Sequence, residues 1–337
     1  MSERILSQIA LDKQIEPNQL GGLRGASMKI RELYSDIEKL ARLSETVLLI
    51  GETGTGKELV ARELHNRSGR TGPYTPINCP EISPELISSE LFGHVKGAFT
   101  GADKTRPGLI ASAANGTVFL DEIGDLDLPS QSKLLRVLED RTIRKVGANV
   151  FESVNARIVL ATNRNLKLAC DEGTFRVDLY ERIRGFKVDV PPLRTRKSDI
   201  PLLAHHFVSE YDKEYNTAHR IADASVDCLF RYDWPGNVRE LRGVIRRATA
   251  YADANGFISA WVLQESVRTP EAMIQSNAVP FDPAVDSWMD IQNRAERAYF
   301  SALLAHTGGK RDAAMKRSGL HKTQFFAKLK KLSNPQD

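Results

Sequence analysis

A glycine-rich segment between an apolar run and a helical pattern restricts the fold of this chain more than any other feature. Val47–Ile50 has the length and composition of a buried strand, and Gly-Glu-Thr-Gly-Thr-Gly-Lys at 51–57 follows it directly. Residues 58–65 then continue as a helical pattern. A strand, Gly-x4-Gly-Lys and a helix together form a P-loop, in which backbone N–H groups and the helix N-terminus hold phosphates. A plain glycine-rich turn is the alternative, but the lysine and both flanks favour a P-loop.

The residue after the P-loop lysine departs from the general pattern. A serine or threonine usually stands there and holds Mg²⁺, whereas this chain has Glu58. A carboxylate can also bind Mg²⁺, and the sequence leaves open whether this one does. We expect Lys57 to reach the β- and γ-phosphates of ATP. The predicted nucleotide-binding residues are Gly51, Glu52, Thr53, Gly54, Thr55, Gly56, Lys57 and Glu58.

Two acidic residues end a second apolar run. Residues 117–120 precede Asp121 and Glu122, and a third apolar run covers residues 157–161. Apolar runs that alternate with helical patterns predict an α/β fold with a parallel sheet covered on both faces. Ligands bind at the carboxyl ends of such strands. We therefore expect Asp121 to hold Mg²⁺, directly or through water, and Glu122 to orient and deprotonate the attacking water. A pair of solvated loop acids is the alternative.

The charge, the cysteine spacing and the apolar runs argue against several classes of protein but do not indicate a function. The net charge of +4 is small. Cys79, Cys170 and Cys228 are far apart and form no CxxC pair, which argues against a disulfide framework or a zinc site and fits a reducing, cytoplasmic environment. His205 and His206 are interpreted as helix residues, because adjacent side chains on a helix do not face the same way. We expect no membrane partner, since no apolar run is long enough to span a bilayer.

Two further motifs, taken with the P-loop, resemble a known family. Glu-Leu-Phe-Gly-His at 90–94 precedes Gly-Ala-Phe-Thr-Gly-Ala at 97–102, and Trp-Pro-Gly-Asn-Val-Arg-Glu-Leu covers 234–241. With Gly-Glu-Thr-Gly-Thr-Gly-Lys-Glu at 51–58, they resemble the AAA+ activators of sigma-54 RNA polymerase, the bacterial enhancer-binding proteins. The resemblance extends from about residue 23 to the C-terminus. Its most specific element is the hexapeptide, and Glu58 fits it because an acid usually follows the P-loop lysine in this family.

The resemblance implies further residues of an ATPase site. Asn78 resembles the switch residue that restrains the catalytic glutamate, and Asn163 resembles the sensor of the γ-phosphate. Arg176 and Arg182 resemble arginine fingers that reach a neighbouring subunit's site, and Arg239 resembles a second sensor on a helical lid. Taken singly, the asparagines could cap turns and the arginines could be surface ion-pair partners. By resemblance, the catalytic set is Asp121, Glu122, Asn78, Asn163, Arg176, Arg182 and Arg239.

The hexapeptide at 97–102 has the composition of a mobile contact loop. Gly97 and Gly101 allow a tight turn, and no burial pattern surrounds Phe99. An exposed aromatic residue at a loop tip suits protein docking, whereas a core phenylalanine in an ordinary turn is the alternative. By resemblance, Phe99 and Thr100 contact sigma-54 when ATP binding or hydrolysis raises the loop. The expected contact loop is Gly97, Ala98, Phe99, Thr100, Gly101 and Ala102.

The C-terminal segment has the pattern of a helix-turn-helix. A helix at about 288–306, ended by Gly308-Gly309, is followed by helices at 310–317 and 322–332 around a turn at 318–320. We expect Phe325, Phe326, Leu329 and Leu332 to pack inward. The first helix carries an apolar stripe, the expected dimer surface, formed by Ile291, Ala295, Ala298, Tyr299, Ala302 and Leu303.

Basic residues dominate the two short helices of this segment. Residues 310–331 contain eight lysines and arginines, and their only acid is Asp312. Such an imbalance suits a phosphate backbone, with a solvated basic hairpin as the alternative. By resemblance this is a Fis-like DNA-binding domain, although residues 315–317 are less apolar than usual there. The expected DNA contacts are Lys322, Thr323, Gln324 and Lys328.

Together these patterns predict an AAA+ α/β core with a parallel sheet, a small helical lid and an all-α helix-turn-helix domain. After Pro191-Pro192 the strand signal stops and residues 199–267 have a helical pattern, whereas 269–283 contain three prolines and little periodicity. The predicted segments are an N-terminal tail at 1–22, a nucleotide-binding subdomain at 23–192, a lid subdomain at 193–268, a linker at 269–286 and the DNA-binding domain at 287–337.

The expected function is ATP-driven activation of sigma-54 RNA polymerase from upstream enhancer DNA. It would use ATP and Mg²⁺, and dimers would assemble into a hexameric ring. A DNA-binding repressor whose nucleotide site only controls assembly, and an AAA+ loader acting on DNA, are the alternatives; Asp121, Glu122 and the arginine pair disfavour the first, and the 97–102 loop disfavours the second. Because only a short tail precedes the ATPase, we expect a separate regulatory protein acting in trans, with truncation of a longer chain as the alternative.

Overall fold

A parallel sheet of five strands forms the centre of the nucleotide-binding part. The computed structural model describes residues 19–221, 223–253, 255–267, 287–307, 311–318 and 322–333. The sheet strands are β1 (Val47–Ile50), β2 (Tyr74–Asn78), β3 (Thr117–Asp121), β4 (Arg157–Thr162) and β5 (Lys187–Asp189). Their order across the sheet is β5-β1-β4-β3-β2, and every pair is parallel. The predicted parallel α/β core is confirmed.

The two edge strands were not among the strands expected from the sequence. β2 reads Tyr-Thr-Pro-Ile-Asn, and only Ile77 of these residues is buried. β5 has three residues, of which only Val188 is buried. Edge strands tolerate proline and polar residues because one side of their backbone needs no partner. Such short, half-polar strands leave no apolar run for a sequence pattern to detect.

Helices cover both faces of the sheet, as alternation of side chains along the strands requires. Val47 and Leu49 pack into a cluster with the first two helices, α1 (Met28–Ala41) and α2 (Lys57–Asn66). Leu48 and Leu120 pack into a cluster on the other face. The helices of that second face are α3 (Pro84–Phe92), α4 (Leu109–Ser112), α5 (Leu128–Asp140), α6 (Leu166–Asp171) and α7 (Val177–Ile183).

Three short antiparallel hairpins lie outside the sheet. Gln19–Leu20 pairs with Leu23–Arg24, and its two leucines are buried in the cluster on α1 and α2. This hairpin therefore spans the expected boundary at 22/23, while residues 1–18 of the expected N-terminal tail lie outside the described residues. The other two hairpins pair Gly93–His94 with Arg106–Pro107 and Thr142–Ile143 with Glu152–Ser153.

The predicted helical lid is confirmed, with one correction. Its helices are α8 (Ile200–Tyr215), α9 (Asp223–Arg231), α10 (Asn237–Ala250) and α11 (Ala260–Val267). They share a core around the fully buried Trp234, whose Nε1 donates to Leu229 O. The expectation that strands stop after Pro192 was wrong, because Arg220–Ile221 pairs in parallel with Phe257–Ile258. Two-residue strands are too short to leave a periodic pattern.

The C-terminal segment contains three helices, α12 (Trp288–His306), α13 (Arg311–Ser318) and α14 (Lys322–Ser333). Phe300, Leu303, Ala314 and Phe325 form their common core, with Phe326 and Leu329 partly buried against it. The expected linker at 269–286, Gly308-Gly309, residues 319–320 of the expected turn and the side chain of Leu332 lie outside the described residues. No helix within the described ranges is long and apolar enough to cross a membrane.

The apolar stripe expected on α12 divides between the core and the surface, and its role as a dimer surface stays a prediction. Phe300 is buried and its ring centroid lies 5.5 Å from that of Phe325, whereas Tyr299 is exposed. Leu303 shares the face of Phe300 one turn later and is also buried. The tyrosine hydroxyl stays hydrated when the ring points outward, so the phenylalanine takes the core position. The side chains of Ile291, Ala298 and Ala302 are not among those described.

A buried arginine ties the ends of two helices to the sheet. Arg157 begins β4 and is fully buried, and burial lowers its pKa to about 10. Its Nη1 and Nη2 donate to Ala41 O and Leu40 O at 2.8 Å, and Nη1 lies 3.5 Å from Leu64 O. The last carbonyls of a helix have no intrahelical partner. The guanidinium therefore satisfies the C-terminal end of α1 and contacts that of α2.

We expect Arg157→Met to lower the free energy of unfolding by about 2 to 4 kcal/mol, because it leaves buried helix carbonyls without donors. Chemical denaturation followed by far-UV circular dichroism measures this change. Arg184→Met is the matched control, since Arg184 is exposed and pairs only with Glu181 on its own helix end. The control should change stability by less than about 0.5 kcal/mol. Equal effects of the two substitutions would contradict the proposed role of Arg157.

Candidate nucleotide site and contact loop

The carboxyl ends of the central strands bring the predicted site residues to one edge of the sheet. Asn78 lies opposite Asp121 across β2 and β3, and Thr162 lies opposite Ile50 across β4 and β1. Gly51 N donates to Thr162 O at 3.2 Å, which fixes the start of the P-loop to the end of β4. The topology thus joins segments that are far apart in sequence.

Two glycines of the P-loop have left-handed backbone conformations. Gly54 and Gly56 have φ angles of 79° and 103°, a region that favours glycine. A Cβ placed on Gly56 would meet no atom within 4 Å, so the loop leaves open space beside the N-terminus of α2. Lys57 begins that helix and is buried, and its Nζ donates to Gly51 O at 2.9 Å. The geometry therefore fits a bound phosphate at the helix N-terminus.

Glu122 is held directly behind the P-loop in a strained conformation. Its φ and ψ are both 53°, a left-handed region that costs a non-glycine residue about 1 to 2 kcal/mol. Its Oε1 lies 3.3 Å from Lys57 Nζ, and its Oε2 accepts from Asn163 N at 2.9 Å. Asn163 Nδ2 also donates to Thr53 Oγ1 at 3.0 Å. Glu122, Asn163 and the P-loop thus form one hydrogen-bonded unit.

Asp121 is half-buried beside this unit. Its Oδ1 accepts from Glu122 N at 3.0 Å. Burial raises the pKa of Asp121 and the Glu122 charge adds to this, while the ammonium of Lys57 opposes it. A carboxylate in this position gains from a nearby cation, which fits Mg²⁺. Among the described residues no cluster of three His, Cys, Asp or Glu forms a metal site, so Mg²⁺ would take further ligands from phosphates and water.

Two of the expected site residues have partners other than the expected ones. Glu58 Oε1 accepts from Arg62 Nη2 at 3.0 Å, one turn along its own helix. Asn78 Nδ2 donates to Glu81 Oε1 at 2.7 Å and not to Glu122. The amide therefore engages the carboxylate that precedes α3, and its role as a switch for Glu122 stays a prediction. Whether Glu58 ligates Mg²⁺ is equally a prediction.

The expected arginine fingers lie on and beside α7, away from the chain's own P-loop contacts. Arg176 donates to both carboxylate oxygens of Asp178, at 3.0 Å and 2.6 Å, and its backbone N donates to Gln131 Oε1. These hydrogen bonds raise the pKa of Arg176. Arg182 Nη2 donates to Leu138 O at 2.9 Å. Both arginines are thus placed by α5 and α7, and neither hydrogen-bonds the P-loop within the described residues.

The lid contacts the P-loop through the first turn of α10 and through Arg194. Val238 N and Arg239 N, in the first turn of α10, point at Gly54 O at 3.0 Å and 3.3 Å. The Arg239 side chain is exposed next to the loop, and its role as a second sensor stays a prediction. Arg194 Nη1 and Nη2 donate to both carboxylate oxygens of Glu52, at 2.6 Å and 2.5 Å. Sequence reasoning missed this role of Arg194, because an arginine after a Pro-Pro-Leu turn carries no signal of its own.

The 97–102 segment lies in a hairpin loop that stands on α3. The hairpin strands are Gly93–His94 and Arg106–Pro107, and Gly97 N donates to Ala102 O at 2.9 Å across the loop. Gly97 and Gly101 have φ angles of 82° and 98°, so both positions favour glycine. Phe99 is 38% exposed, and its ring lies edge-on at 5.1 Å from that of His94. The aromatic side chain is therefore partly exposed and rests on the base of the loop.

The expected DNA contacts divide into two groups. Lys322, Thr323 and Gln324 are exposed in the first turn of α14. Lys328 is different, because its Nζ pairs with Glu296 Oε1 of α12 at 2.5 Å. The helix face that buries Phe325 also turns Lys328 toward α12, and a contact of Lys328 with DNA stays a prediction. Helical spacing alone did not reveal the acid on the neighbouring helix.

Comparison with known proteins agrees with this geometry. The sigma-54 interaction domain family matches residues 23–189, and the AAA+ ATPase lid domain family matches residues 194–278. The nitrogen fixation protein VnfA of Azotobacter vinelandii is 44% identical over 263 residues, which cover 77% of this chain and 50% of VnfA. The transcriptional regulatory protein ZraR of Escherichia coli K12 is 40% identical over 311 residues, which cover 91% of this chain and 68% of ZraR.

A solved structure is similar over almost the whole chain. NtrX from Brucella abortus, crystallised in complex with ADP, has a TM-score of 0.68 and 30% identity, and the similarity covers 99% of this chain and 74% of that chain. This chain spans only half the length of VnfA. The Fis-like character of the C-terminal helices is matched by neither family and stays a prediction. The matched regions and the two curated relatives together show that this chain belongs to the AAA+ family of sigma-54-dependent transcriptional activators.

Proposed function

We propose that this chain binds and hydrolyses ATP with Mg²⁺ and uses that cycle to remodel sigma-54 RNA polymerase from closed to open complexes. The observation that carries the proposal is the hydrogen-bonded unit of Lys57, Glu122 and Asn163 behind the P-loop. A phosphate-binding lysine, an acid that can accept a proton and a γ-phosphate sensor stand together at one edge of the sheet. This set of groups is what hydrolysis of a phosphoanhydride needs.

Each residue of the site has a role that its contacts support. The backbone N–H groups of the P-loop and the ammonium of Lys57 would bind the phosphates. Glu122 would accept the proton of the attacking water, and Asn163 N–H keeps its carboxylate in place. Asp121 would hold Mg²⁺, which neutralises phosphate charge when it is bound. Arg176 and Arg182 would complete the site of a neighbouring subunit, which requires a ring, and we propose a hexamer assembled from dimers.

The route from the site to the contact loop is short in the chain. Asn78 ends β2, Glu81 follows it, and α3 then runs to the hairpin strand Gly93–His94 at the base of the loop. A second hairpin braces that base, because Val95 N donates to Val146 O and Val146 N donates to Gly93 O. A change of partner at Asn78 would therefore act on the segment that carries Phe99. We propose that Phe99 and Thr100 contact sigma-54.

The C-terminal helices would bind enhancer DNA through the exposed start of α14. Lys322, Thr323 and Gln324 are exposed there, at the end of a helix that can approach a groove. Lys328 would act through its pair with Glu296 on α12, which holds the helices together. A repressor whose nucleotide site only controls assembly is distinguished from this proposal by measured hydrolysis.

We expect Glu122→Gln to retain ATP binding and to lower kcat by at least about a hundredfold, because the amide cannot accept the proton from water. Phosphate release measures kcat, and calorimetry with ATP measures binding.

Lys57→Ala should abolish both ATP binding and hydrolysis, since it removes the phosphate-binding ammonium. Tyr251→Ala, on an exposed lid residue, is the control and should keep wild-type turnover. Unchanged hydrolysis in Lys57→Ala would refute the assignment of the site.

We expect Phe99→Ala to hydrolyse ATP but to lose its complex with sigma-54 in the presence of an ATP transition-state analogue. The reason is that the partly exposed ring is the largest apolar group of the loop, and such groups dominate docking energies. Gel filtration of the mixed proteins measures the complex. Tyr251→Ala is again the matched control, because it removes an exposed aromatic ring from the lid and not from the loop. A stable complex of sigma-54 with Phe99→Ala would overturn the contact assignment.

We expect Lys322→Ala to weaken DNA binding and to reduce the slope of log affinity against log salt by about one, as loss of one phosphate contact does. Fluorescence anisotropy at several salt concentrations gives the slope. Lys29→Ala removes an exposed lysine from α1 and should leave the slope unchanged. The same slope in wild type and Lys322→Ala would place the DNA contact elsewhere.

A further inference from the structure

The lid and the P-loop are joined by a cluster that we name the Glu52 latch, made of Glu52, Arg194 and Asn237. Both carboxylate oxygens of Glu52 accept from the Arg194 guanidinium, at 2.5 Å and 2.6 Å. Asn237 Nδ2 donates to Glu52 Oε2 at 3.1 Å. The hydrogen bonds from Arg194 and then from Asn237 lower the pKa of Glu52 to about 2. The carboxylate therefore stays ionised and paired at any physiological pH.

Asn237 connects three segments through one side chain. Its Nδ2 also donates to Thr53 O at 3.1 Å, and its Oδ1 accepts from Leu193 N at 2.8 Å. The residue is fully buried and its φ is 53°, a left-handed conformation that asparagine tolerates better than most residues. A buried amide with satisfied donors and acceptor specifies one arrangement of the segments that it joins. Here those segments are the P-loop, the Leu193–Thr195 turn and α10.

The N-terminus of α10 rests on the P-loop beside this side chain. The first N–H groups of a helix have no intrahelical acceptor, and those of Val238 and Arg239 point at Gly54 O. The approach is close, because a Cβ on Gly54 would lie 2.3 Å from Gly236 O. Arg239 belongs to this same first turn. Its position relative to the P-loop is therefore set by the contacts of Asn237 and Gly54.

An ordinary surface ion pair would contribute little, about 0 to 1 kcal/mol. The Glu52 pair differs from such a pair in two respects. It is bidentate and shares its carboxylate with a buried amide, and its partners belong to two different bodies, the P-loop and the lid. By contrast, the similar pair of Arg246 and Glu214 joins α8 and α10 within the lid. Breaking the second pair leaves the lid contact with the P-loop unchanged, so it provides a matched control.

We propose that Glu52, Arg194 and Asn237 are positioning residues that hold the lid closed on the P-loop and so place Arg239 at the nucleotide. The proposal rests on the ATP site described above and adds residues that set its affinity. Loss of the latch opens the lid, weakens nucleotide binding and raises KM, while the groups around Glu122 keep their contacts. The expected signature is a change in KM and in the ADP dissociation constant that exceeds the change in kcat.

The test uses charge reversal and its rescue. Glu52→Arg and Arg194→Glu each place like charges together and should raise the ADP dissociation constant and KM about five- to tenfold. The double variant restores an ion pair and should return both constants to within about twofold of wild type. Calorimetry with ADP and steady-state phosphate release measure these constants. Glu214→Arg on the control pair should leave them unchanged.

A second readout does not depend on nucleotide. Hydrogen exchange of a peptide that contains the Val238 and Arg239 amides should become faster in each single reversal and return to wild-type protection in the double variant. Asn237→Gly keeps the left-handed backbone and should also speed this exchange, which supports the proposal if a charge variant fails to fold. Unchanged exchange in every variant, or no recovery in the double variant, would overturn the latch. A wild type that binds no nucleotide but shows the exchange pattern would instead refute the ATP site.

Discussion

The contact between Lys57 and Glu122 is the interaction on which the rest of the site depends. The ammonium is buried, and a buried cation is stable only with acceptors around it. Here the acceptors are Gly51 O at 2.9 Å and Glu122 Oε1 at 3.3 Å. The same contact helps to keep Glu122 in its left-handed conformation. A phosphate bound in the loop would compete for this ammonium, so we propose that nucleotide binding changes the contacts of Glu122.

The 97–102 loop is anchored in the α/β core through the segment that follows β2. Asn78, Glu81 and α3 lie in one continuous segment between β2 and the hairpin base at Gly93–His94. His94 is buried, with its Nδ1 2.7 Å from Ser89 Oγ, and its ring supports Phe99. Packed helices move as rigid bodies because their cores do not deform continuously. We therefore propose that a small change at the end of β2 displaces the loop as a unit.

Part of this architecture was predictable from sequence because its physical signals are local. The apolar strands β1, β3 and β4, the P-loop glycines and the acids after β3 all follow from short patterns with known geometry. The half-polar strands β2 and β5 could not be seen, since edge positions require little apolar character. Asn78 was predicted to restrain Glu122, and the structure pairs its amide with Glu81. A sequence pattern does not indicate which of two carboxylates, Glu81 or Glu122, accepts the hydrogen bond from the Asn78 amide.

Contacts between elements account for the remaining differences. Lys322 and Lys328 look equivalent in a basic helix, yet one is exposed and the other pairs with Glu296 on α12. The ion pair of Arg194 with Glu52 likewise forms only when the Leu193–Thr195 turn is folded against the P-loop. In each case the role of a charged side chain depends on its ion-pair partner, and that partner lies far away in sequence. The P-loop is therefore better described as the shared surface of the sheet and the lid than as a strand-to-helix turn. Two of its glycines serve these two contacts. Gly56 leaves space beside the N-terminus of α2 in which a phosphate would fit, and Gly54 permits the close approach of α10.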